Sequence, residues 1–597
     1  MGLFNQFPYT NFHEINLDWL IQEIKKLGND VNNFSENLQN YVYQYLDKWI
    51  HDNKIDVAGV TSGEVNINAF TPHGDGVTDD KDAFNEAIDF CNTYGLNLAL
   101  NPTNYYISAP LNNMKNSIDG RGAIIIPGTA TAEETYIFNF IANSEDIIVS
   151  TENFTTKTVT DSRLYGKVTH VVSDVDIGER GTSGYHKNAE QTLIIDKMGN
   201  IINAKLGFTP VLECVCKATR EPTSNKYIKN INYKINENSN YLFGLVHVTK
   251  DFFTIENIQI DGKIISENFV GSVISLDKCT NCLVYNVIGF GVVTSGTGYI
   301  LEITGGSNNK IENCTFGNHT SSVWGNIGCN YLTNTEFNNV ITNRIDCHYM
   351  SFGYFNIVNC STREITLPEG GYGTILAKNC NLIGNAYAYI SKRTEMPILF
   401  SGNIIIDSCN NSDVAHCLID YKVKNADIIT ANLVTGDTNI YINNCNFSNG
   451  LRDYCYITDY DKQTISVYFN NCDVRMTANV PIVYILSDGT KPMYCYFNNC
   501  NITGSNCQYL GNSARGNYIF DKCNISCLLN AVNAETTAII GNSRYSENKY
   551  ANLTIKNLIF HDNIVTTDSS TRHITGTQSK FTGNLATDSQ YTSAWND

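Results

Sequence analysis

Near the middle of the chain lie side chains whose types and spacing are suited to acting on a sugar polymer. Glu302, Trp324 and His348 each stand 10 or 11 residues before an asparagine of a repeated pattern. Asp346 precedes His348 by two residues, so an extended strand would place both on one face. The set contains two carboxylates, an imidazole and an indole.

Equal spacing from a repeat predicts that these residues share one column. If each repeat is one coil of a parallel stack, successive coils lie ~4.8 Å apart. Glu302 and His348 would then stand roughly 10 Å apart, with Trp324 between them. Carboxyl groups separated by roughly 6.5–9.5 Å can perform inverting glycoside hydrolysis, and an exposed tryptophan can stack on a sugar ring. We therefore predict Glu302, Asp346 and His348 as catalytic and Trp324 as substrate-binding, against the ordinary alternative of packed side chains.

The repeat that would position this column is an apolar residue close before an asparagine. Its asparagine-to-asparagine steps are 29, 27, 21, 25 and 20 residues, through Asn257, Asn286, Asn313, Asn334, Asn359 and Asn379. Later copies read Asn-Asn-Cys, at Asn443, Asn470 and Asn498. Asparagine tolerates left-handed turns and can hydrogen-bond to the asparagine one coil above. The repeat predicts a mainly β chain folded as a parallel β-helix, with one coil per step.

The 20 cysteines recur about once per coil, with an apolar residue two positions later. Alternation along a strand puts both side chains on the inner face, so we predict that the cysteines are small buried hydrophobic residues. Zinc binding is the alternative at Cys279-x-x-Cys282 and Cys214-x-Cys216. Neither pair has a properly spaced second pair. We therefore expect no metal and no other cofactor.

The segment Phe70 to Asp89 combines a turn signal with an amphipathic pattern. Gly74-Asp75-Gly76 predicts a turn, and Thr78 suits the N-cap of a helix. This opening, followed by Pro102 and Tyr105-Tyr106-Ile107, resembles the start of the pectate-lyase-like family of right-handed parallel β-helices. The resemblance implies that fold. Some lyases of this kind combine calcium, acidic clusters and a basic residue; Arg344 is our candidate for such a substrate-binding basic residue, although no acidic cluster accompanies it.

Residues 1–55 differ in kind from the rest. Apolar residues from Leu20 to Trp49 are spaced three or four apart, which is a heptad seam. Because a single helix with such a seam needs partners, we predict a homotrimeric coiled coil. Residues 7–24, with the run Asn-Phe-His-Glu-Ile-Asn-Leu-Asp-Trp-Leu, resemble the N-termini of virion appendage proteins from small short-tailed phages of Gram-positive bacteria, including preneck appendage-like proteins. The resemblance implies docking to tail or collar proteins through residues 1–25, and a trimeric shaft.

Composition excludes some partners. Of the 597 residues only 17% are charged, and the net charge is −18. Because binding to phosphate backbones needs a basic surface, we predict no nucleic-acid partner. No apolar run reaches the ~18 residues of a membrane span, and the N-terminus lacks the layout of a secretory signal.

These observations predict five segments. They are an attachment segment and coiled coil (1–55), a linker (56–69), a cap with the first coils (70–145), irregular coils or an inserted lobe (146–250) and the regular β-helix (251–597). The predicted function is a phage tailspike on the virion that recognises a host glycan or wall teichoic acid. The alternatives are a depolymerase that cleaves that polymer, a free secreted carbohydrate-active enzyme and a purely structural fibre. The sequence leaves open whether the chain is an enzyme.

Overall fold

The computed structural model describes residues 60–61 and 63–586, apart from 133–134, 180–185, 238–240, 264–270, 290–297, 318–325, 384–387, 393–395, 412–414, 423–428, 447–450, 460–462, 477–482, 488–492, 505–515, 527–536, 548–552, 555–556, 568–573 and 576–577. The predicted coiled coil and its attachment segment lie outside the described residues, as does Trp324.

The described part is mainly β, with one α-helix, α1 (Lys81–Tyr94), and 3-10 helices at Ile67–Phe70, Thr151–Asn153 and Ser162–Leu164. The strands up to the middle of the chain are β1 (Val60–Thr61), β2 (Glu64–Asn66), β3 (Asp75–Asp79), β4 (Asn97–Ala99), β5 (Asn104–Ile107), β6 (Ile118–Pro127), β7 (Thr135–Phe140), β8 (Glu145–Ser150), β9 (Val168–Glu179), β10 (His186–Ile194), β11 (Glu213–Arg220), β12 (Lys226–Lys234), β13 (Phe243–Val248), β14 (Phe253–Asp261), β15 (Gly271–Asp277), β16 (Leu283–Gly289), β17 (Gly298–Thr304), β18 (Lys310–Phe316), β19 (Ile327–Val358), β20 (Ser361–Leu367) and β21 (Gly370–Lys378).

The remaining strands are β22 (Asn381–Leu382), β23 (Ala388–Lys392), β24 (Phe400–Asp407), β25 (Asn410–Asn411), β26 (Ala415–Lys422), β27 (Thr438–Asn443), β28 (Leu451–Asp459), β29 (Ile465–Asn470), β30 (Asp473–Met476), β31 (Val483–Ser487), β32 (Met493–Asn498), β33 (Asn501–Gly504), β34 (Gly516–Asp521), β35 (Asn524–Ser526), β36 (Thr537–Gly541), β37 (Arg544–Glu547), β38 (Leu553–Thr554), β39 (Asn557–His561), β40 (Ile564–Thr567), β41 (Ile574–Thr575), β42 (Gln578–Thr582) and β43 (Leu585–Ala586).

Within the described part, 37 strands belong to one sheet, and nearly all of its pairings are parallel. Most strands pair with one a full coil later, as when β27 pairs with β29 and β29 with β32. The fold is therefore a long parallel sheet consistent with a β-helix, as the repeat predicts. The handedness of its coils stays a prediction. No described helix has the length and apolar character needed to cross a membrane.

The opening segment differs in detail from its prediction. Asp75–Asp79 is strand β3, paired with β5, and α1 begins at Lys81 with Asp80 rather than Thr78 at the N-cap position. Thr78 instead donates its hydroxyl to Asp75, which accepts the N–H groups of Val77 and Thr78. This local turn competes with capping, so the aspartates serve the backbone. The apolar face of α1 is buried in the main core.

Two boundaries also differ from the predicted segments. Strand β2 lies inside the predicted linker and pairs with β4, so the described part of residues 56–69 belongs to the first coil. Strand β12 pairs with both β6 and β14. The parallel sheet therefore passes directly from residues 118–127 to residues 226–234.

The intervening residues build a different structure, here called the lobe (145–220). Its strands β8, β9, β10 and β11 form a four-stranded antiparallel sheet in the order β10-β9-β11-β8. The lobe shares an apolar core with the parallel sheet, to which the sheet contributes Tyr331, Tyr349, Met350 and Phe352 among others. The lobe is thus packed onto the side of the stack.

The interior and corners of the stack follow the sequence repeat. All 17 cysteines that the structure describes as free thiols are buried, which confirms their predicted place in the core. Burial raises the pKa of Cys91 and of Cys314 to about 12, so these thiols stay protonated at neutral pH. At the corners, Asn286 donates to Asn257 over 2.7 Å and Asn339 to Asn313 over 2.8 Å. Side-chain ladders of asparagine, as predicted, connect successive coils.

One asparagine belongs to a different ladder from the one predicted. Asn334 donates to Asn308, and Asn308 donates to Asn281, so these three form a second corner. Asn339 occupies the place after Asn313 in the first ladder. Both corners hold asparagine at a positive φ near 50°, and the sequence pattern does not distinguish them.

Candidate functional site

Glu302 and Asp346 are brought together by the parallel register. Glu302 is half-buried on β17, opposite Ser275 of the preceding coil and Gly328 of the following one. Cys329, beside Gly328, contacts Cys347 of the next coil. Burial, Cys347 and the Asp346 and Glu302 carboxylates all raise the pKa of the Cys329 thiol. The two carboxylates therefore flank this position from coils on either side, roughly 10 Å apart along the stack.

The predicted column used Asn334 as the successor of Asn313, but Asn334 belongs to the second corner. Gly328 stands opposite Glu302 in the following coil, at the place that the sequence prediction gave to Trp324. The error follows from the two ladders: Gly328 lies 11 residues before Asn339, the true successor of Asn313. Trp324 itself lies outside the described residues, and its predicted role stays a prediction.

Arg344, Asp346 and His348 lie on β19, spaced so that alternation puts them on one face. The Arg344 guanidinium donates to Asp346 over 3.0 Å and to Thr366 over 3.1 Å, with Glu364 3.9 Å away. Asp346 is fully buried. Because a buried carboxylate needs a counter-charge, Arg344 compensates for the burial of Asp346.

His348 continues this chain of contacts. Its Nε2 lies 3.5 Å from the Asp346 carboxylate and 3.3 Å from the Tyr299 hydroxyl. Tyr299 comes from β17, and its ring packs so closely on Gly328 that a Cβ there would meet the ring at 2.8 Å. A glycine at 328 thus lets Tyr299 reach across a coil. Arg344, Asp346, His348 and Tyr299 form one connected polar network.

The lobe forms a wall beside this network. Tyr349 follows His348 and stacks on Tyr331, with ring centroids 4.9 Å apart. From β10 of the lobe, the Lys187 ammonium lies 5.5 Å from the Tyr349 ring, and the Asn188 carbonyl accepts from the Tyr331 hydroxyl. The network therefore lies where the lobe meets the parallel sheet, a region here called the junction.

The accessibility of the predicted residues limits their chemistry. Glu302 is half-buried, whereas Asp346 and His348 are 0% and 4% exposed. Glu302 is thus the one of the three predicted catalytic residues that a polymer reaches without rearrangement. Asp346 and His348 are placed to orient Tyr299 and Arg344. Among the described residues, no group of three histidine, cysteine, aspartate or glutamate side chains is arranged to hold a metal ion.

Tyr299, Tyr331 and Tyr349 are members of this region that the sequence did not single out. The chain contains 35 tyrosines, so residue type alone is uninformative. Tyr331 and Tyr349 have φ values of 52° and 57°, a conformation that bulky residues rarely adopt. That signal appears only in the backbone. The sole sequence hint is Gly328, whose contact with Tyr299 depends on the register.

No protein-family model matches the chain, and none of the curated proteins searched matches its sequence. Among solved structures, the chain is similar to the Gp54 tailspike of Acinetobacter baumannii bacteriophage AP22 in complex with capsular saccharide (TM-score 0.40, 11% identity, 80% of this chain and 76% of that one). It is similar to the tailspike gp61 of Pseudomonas phage phi297 (0.39, 10%, 74% and 81%). A third similar structure is the N-terminal fragment of bacteriophage Phi29 gene product 12 (0.34, 14%, 92% and 73%). These similarities are too low to identify a family.

Proposed function

We propose that this chain is a homotrimeric phage tailspike that adsorbs to a polysaccharide or teichoic acid on the host surface. The observation that carries the proposal is a continuous parallel sheet of stacked coils following a segment, residues 7–24, that resembles virion-docking N-termini. Residues 1–25 attach the chain to the tail or collar, and residues 1–55 hold three copies together. The junction, with Glu302 and the Arg344 network, is the proposed meeting point with the polymer.

Side-chain chemistry supports polymer recognition at the junction. Sugar recognition uses flat aromatic faces together with polar groups for the hydroxyls. Glu302 and Arg344 supply partly accessible polar groups there, and Trp324 is the aromatic residue that the sequence predicts for substrate binding.

Adsorption of the full chain to bacterial cell walls tests the proposal. A panel of walls from Gram-positive species is incubated with the protein, and bound protein is separated by sedimentation. We expect binding to the walls of some species and a trimer by light scattering. Binding to none of the walls, or a monomer for the intact chain, would contradict the proposal.

Trp324→Ala should weaken adsorption by ~1–3 kcal/mol without lowering the melting temperature.

Cleavage of the polymer is the second candidate function. The observation favouring it is the pair of carboxylates, Glu302 and Asp346, on coils roughly 10 Å apart. The burial of Asp346 opposes it. Fragments released from walls are the readout: if they appear, Glu302→Gln and Asp346→Asn should each abolish release while binding continues. Release by the double variant would remove both residues from the mechanism.

A further inference from the structure

A second surface feature lies away from the Glu302 network, on the outer face of β12 and β14. It is a groove of about 370 Å³, here called the Phe252 groove, lined by Asn225, Lys226, Tyr227, Lys229, Phe252, Thr254, Glu256 and Asn281. The register places Tyr227 opposite Thr254 and Lys229 opposite Glu256, so these side chains form its floor. The lining combines two aromatic rings, two ammonium groups, the Glu256 carboxylate and several neutral hydrogen-bonding groups.

Phe252 is the anomalous residue of this groove. It is 40% exposed and has a φ of 53°. Its backbone N–H donates to the Thr280 carbonyl, as the N–H groups of Asn281 and Asn308 donate to equivalent carbonyls one coil later. Phe252 therefore occupies the corner position that the next coils give to Asn281, Asn308 and Asn334.

The replacement of asparagine by phenylalanine at this corner is unfavourable for the fold. A bulky residue in the left-handed region is strained by roughly 1–3 kcal/mol, whereas asparagine adopts it readily. The phenylalanine side chain also cannot form the hydrogen bond with Asn281 that an asparagine at this corner would form. Because strain of this kind persists where the side chain serves another purpose, the exposed Phe252 ring is placed for contact with a ligand.

The charges of the groove give the class of that ligand. Lys229 lies 3.5 Å from Asp119, stands over the Tyr227 ring and is opposite Glu256 in register. Lys226 differs, because its ammonium donates to the Asn116 amide oxygen and no carboxylate of the described residues lies within ion-pair distance. Lys226 and Phe252 both line the groove, so an ammonium with no carboxylate partner among the described residues borders the same space as the exposed ring.

We propose that the Phe252 groove binds one sugar unit of an anionic surface polymer, with the ring against Phe252 and a phosphate or carboxylate group against Lys226. The inference rests on the proposed adsorption function and adds the chemistry of the polymer. A chain with a net charge of −18 repels an anionic polymer unless a local site is basic. The lysines of the groove would supply such a site.

The test uses the full chain and the bacterial walls to which the wild-type protein adsorbs. Phe252→Asn should lower affinity at least tenfold while leaving the melting temperature unchanged or higher, since asparagine relieves the strained corner. Lys226→Gln should lower affinity several-fold and weaken its dependence on salt. The matched controls are Ile288→Asn, another exposed apolar side chain, and Lys522→Gln, an exposed lysine paired with Asp521. Both controls should bind as wild type does.

Chemical treatment of the walls identifies the source of the anion. Hydrofluoric acid removes phosphodiester-linked polymers, and carbodiimide coupling to an amine neutralises carboxylates. Loss of wild-type binding after one treatment assigns the phosphate or the carboxylate. Wild-type affinity in both variants, or binding unaffected by both treatments, would overturn the inference while leaving the proposed function standing. Absence of wild-type binding to any wall would overturn both.

Discussion

The regular coils from β27 to β39 and the junction are built by opposite means. In the regular coils like residues stack on like: the rings of Tyr441, Tyr468 and Tyr496 lie 4.7 Å apart in succession. At the junction unlike residues meet. Tyr349 stacks on Tyr331 in a strained backbone conformation, and strand β19 contributes arginine, aspartate and histidine to one polar network.

The difference indicates that the residues of the regular coils serve only the stability of the fold. A repeated residue at a repeated position is stabilised by its own copies one coil away, so any interruption loses contacts on both sides. The junction and the Phe252 groove interrupt the repeat and contain buried charges and strained aromatic residues. Such features lower stability unless compensated, and functional sites are where they persist. Perturbing both regions in matched ways tests this comparison.

The largest effect is expected from the ion pair that joins the lobe to the parallel sheet. Arg220, at the end of β11, donates two hydrogen bonds to Asp251 over 2.9 and 2.7 Å, and both side chains are buried. Asp251→Asn leaves the buried guanidinium without its counter-charge, which should cost ~3–5 kcal/mol. We expect a lower melting temperature and faster limited proteolysis within residues 145–220.

The matched control lies in the regular coils. Asp407 forms a partly exposed pair with Lys378 at 3.8 Å, and ion pairs that water reaches contribute ~0–1 kcal/mol. Asp407→Asn should therefore change the melting temperature little. Equal destabilisation by the two substitutions would show that the buried Arg220–Asp251 pair contributes no more than a partly exposed pair.

A smaller effect concerns the pH dependence of a buried ammonium near the groove. Burial lowers the pKa of Lys250 from 10.5 to about 8, with repulsion from Lys226 and Lys115 adding to it. Between pH 8 and 10.5 the unfolded chain binds more protons at this residue, so Lys250 contributes stability that rises with pH in that window. Lys250→Met should remove a rise of ~1–3 kcal/mol between pH 7 and pH 10.

Denaturant melts of both proteins across this pH range give the difference directly. Lys522→Met, at an exposed lysine, is the control and should follow the wild-type curve. If the free energies of unfolding of Lys250→Met and wild type change in parallel from pH 7 to pH 10, folding does not lower the pKa of Lys250 and the interpretation fails.

The smallest effect concerns one corner of the regular coils. Asn471 has a φ of 53°, donates to Asn444 over 3.1 Å and accepts from Asn499 over 2.8 Å. Asn471→Ala loses both ladder bonds and strains the backbone, for ~1–2 kcal/mol in all. Asn471→Gly loses the bonds without the strain and should cost ~1 kcal/mol less than alanine. Equal losses for alanine and glycine would show that the left-handed corner carries no cost.

The regular part of the fold was predictable because its signals recur. A cysteine buried once per coil and an asparagine at each corner can be read from spacing alone, and Asn257, Asn286 and Asn313 were placed correctly in one ladder. Where two corners both use asparagine the spacing fails, which is how Asn334 was assigned to the wrong ladder. Because the two corners share the same residue type and backbone conformation, the sequence does not show which asparagine follows which from one coil to the next.

The junction was less predictable because its contacts are long-range and do not repeat. Asp346 and His348 are placed together by the sequence because they alternate on one strand, whereas Arg344 is suggested only by the family resemblance. Tyr299 was missed because its contact with His348 spans 49 residues and depends on Gly328. The boundaries of the lobe were left open because antiparallel pairing between β9 and β11 crosses about 45 residues with no repeated motif.

The central claim is that polymer contacts lie at the irregular parts of the molecule and not along the regular coils. Hydrogen–deuterium exchange of the full chain, with and without a wall polymer to which it adsorbs, tests this most directly. The account predicts slower exchange on binding in peptides covering residues 226–256 and 298–349, with no change across residues 438–566. Protection confined to residues 438–566 would contradict it.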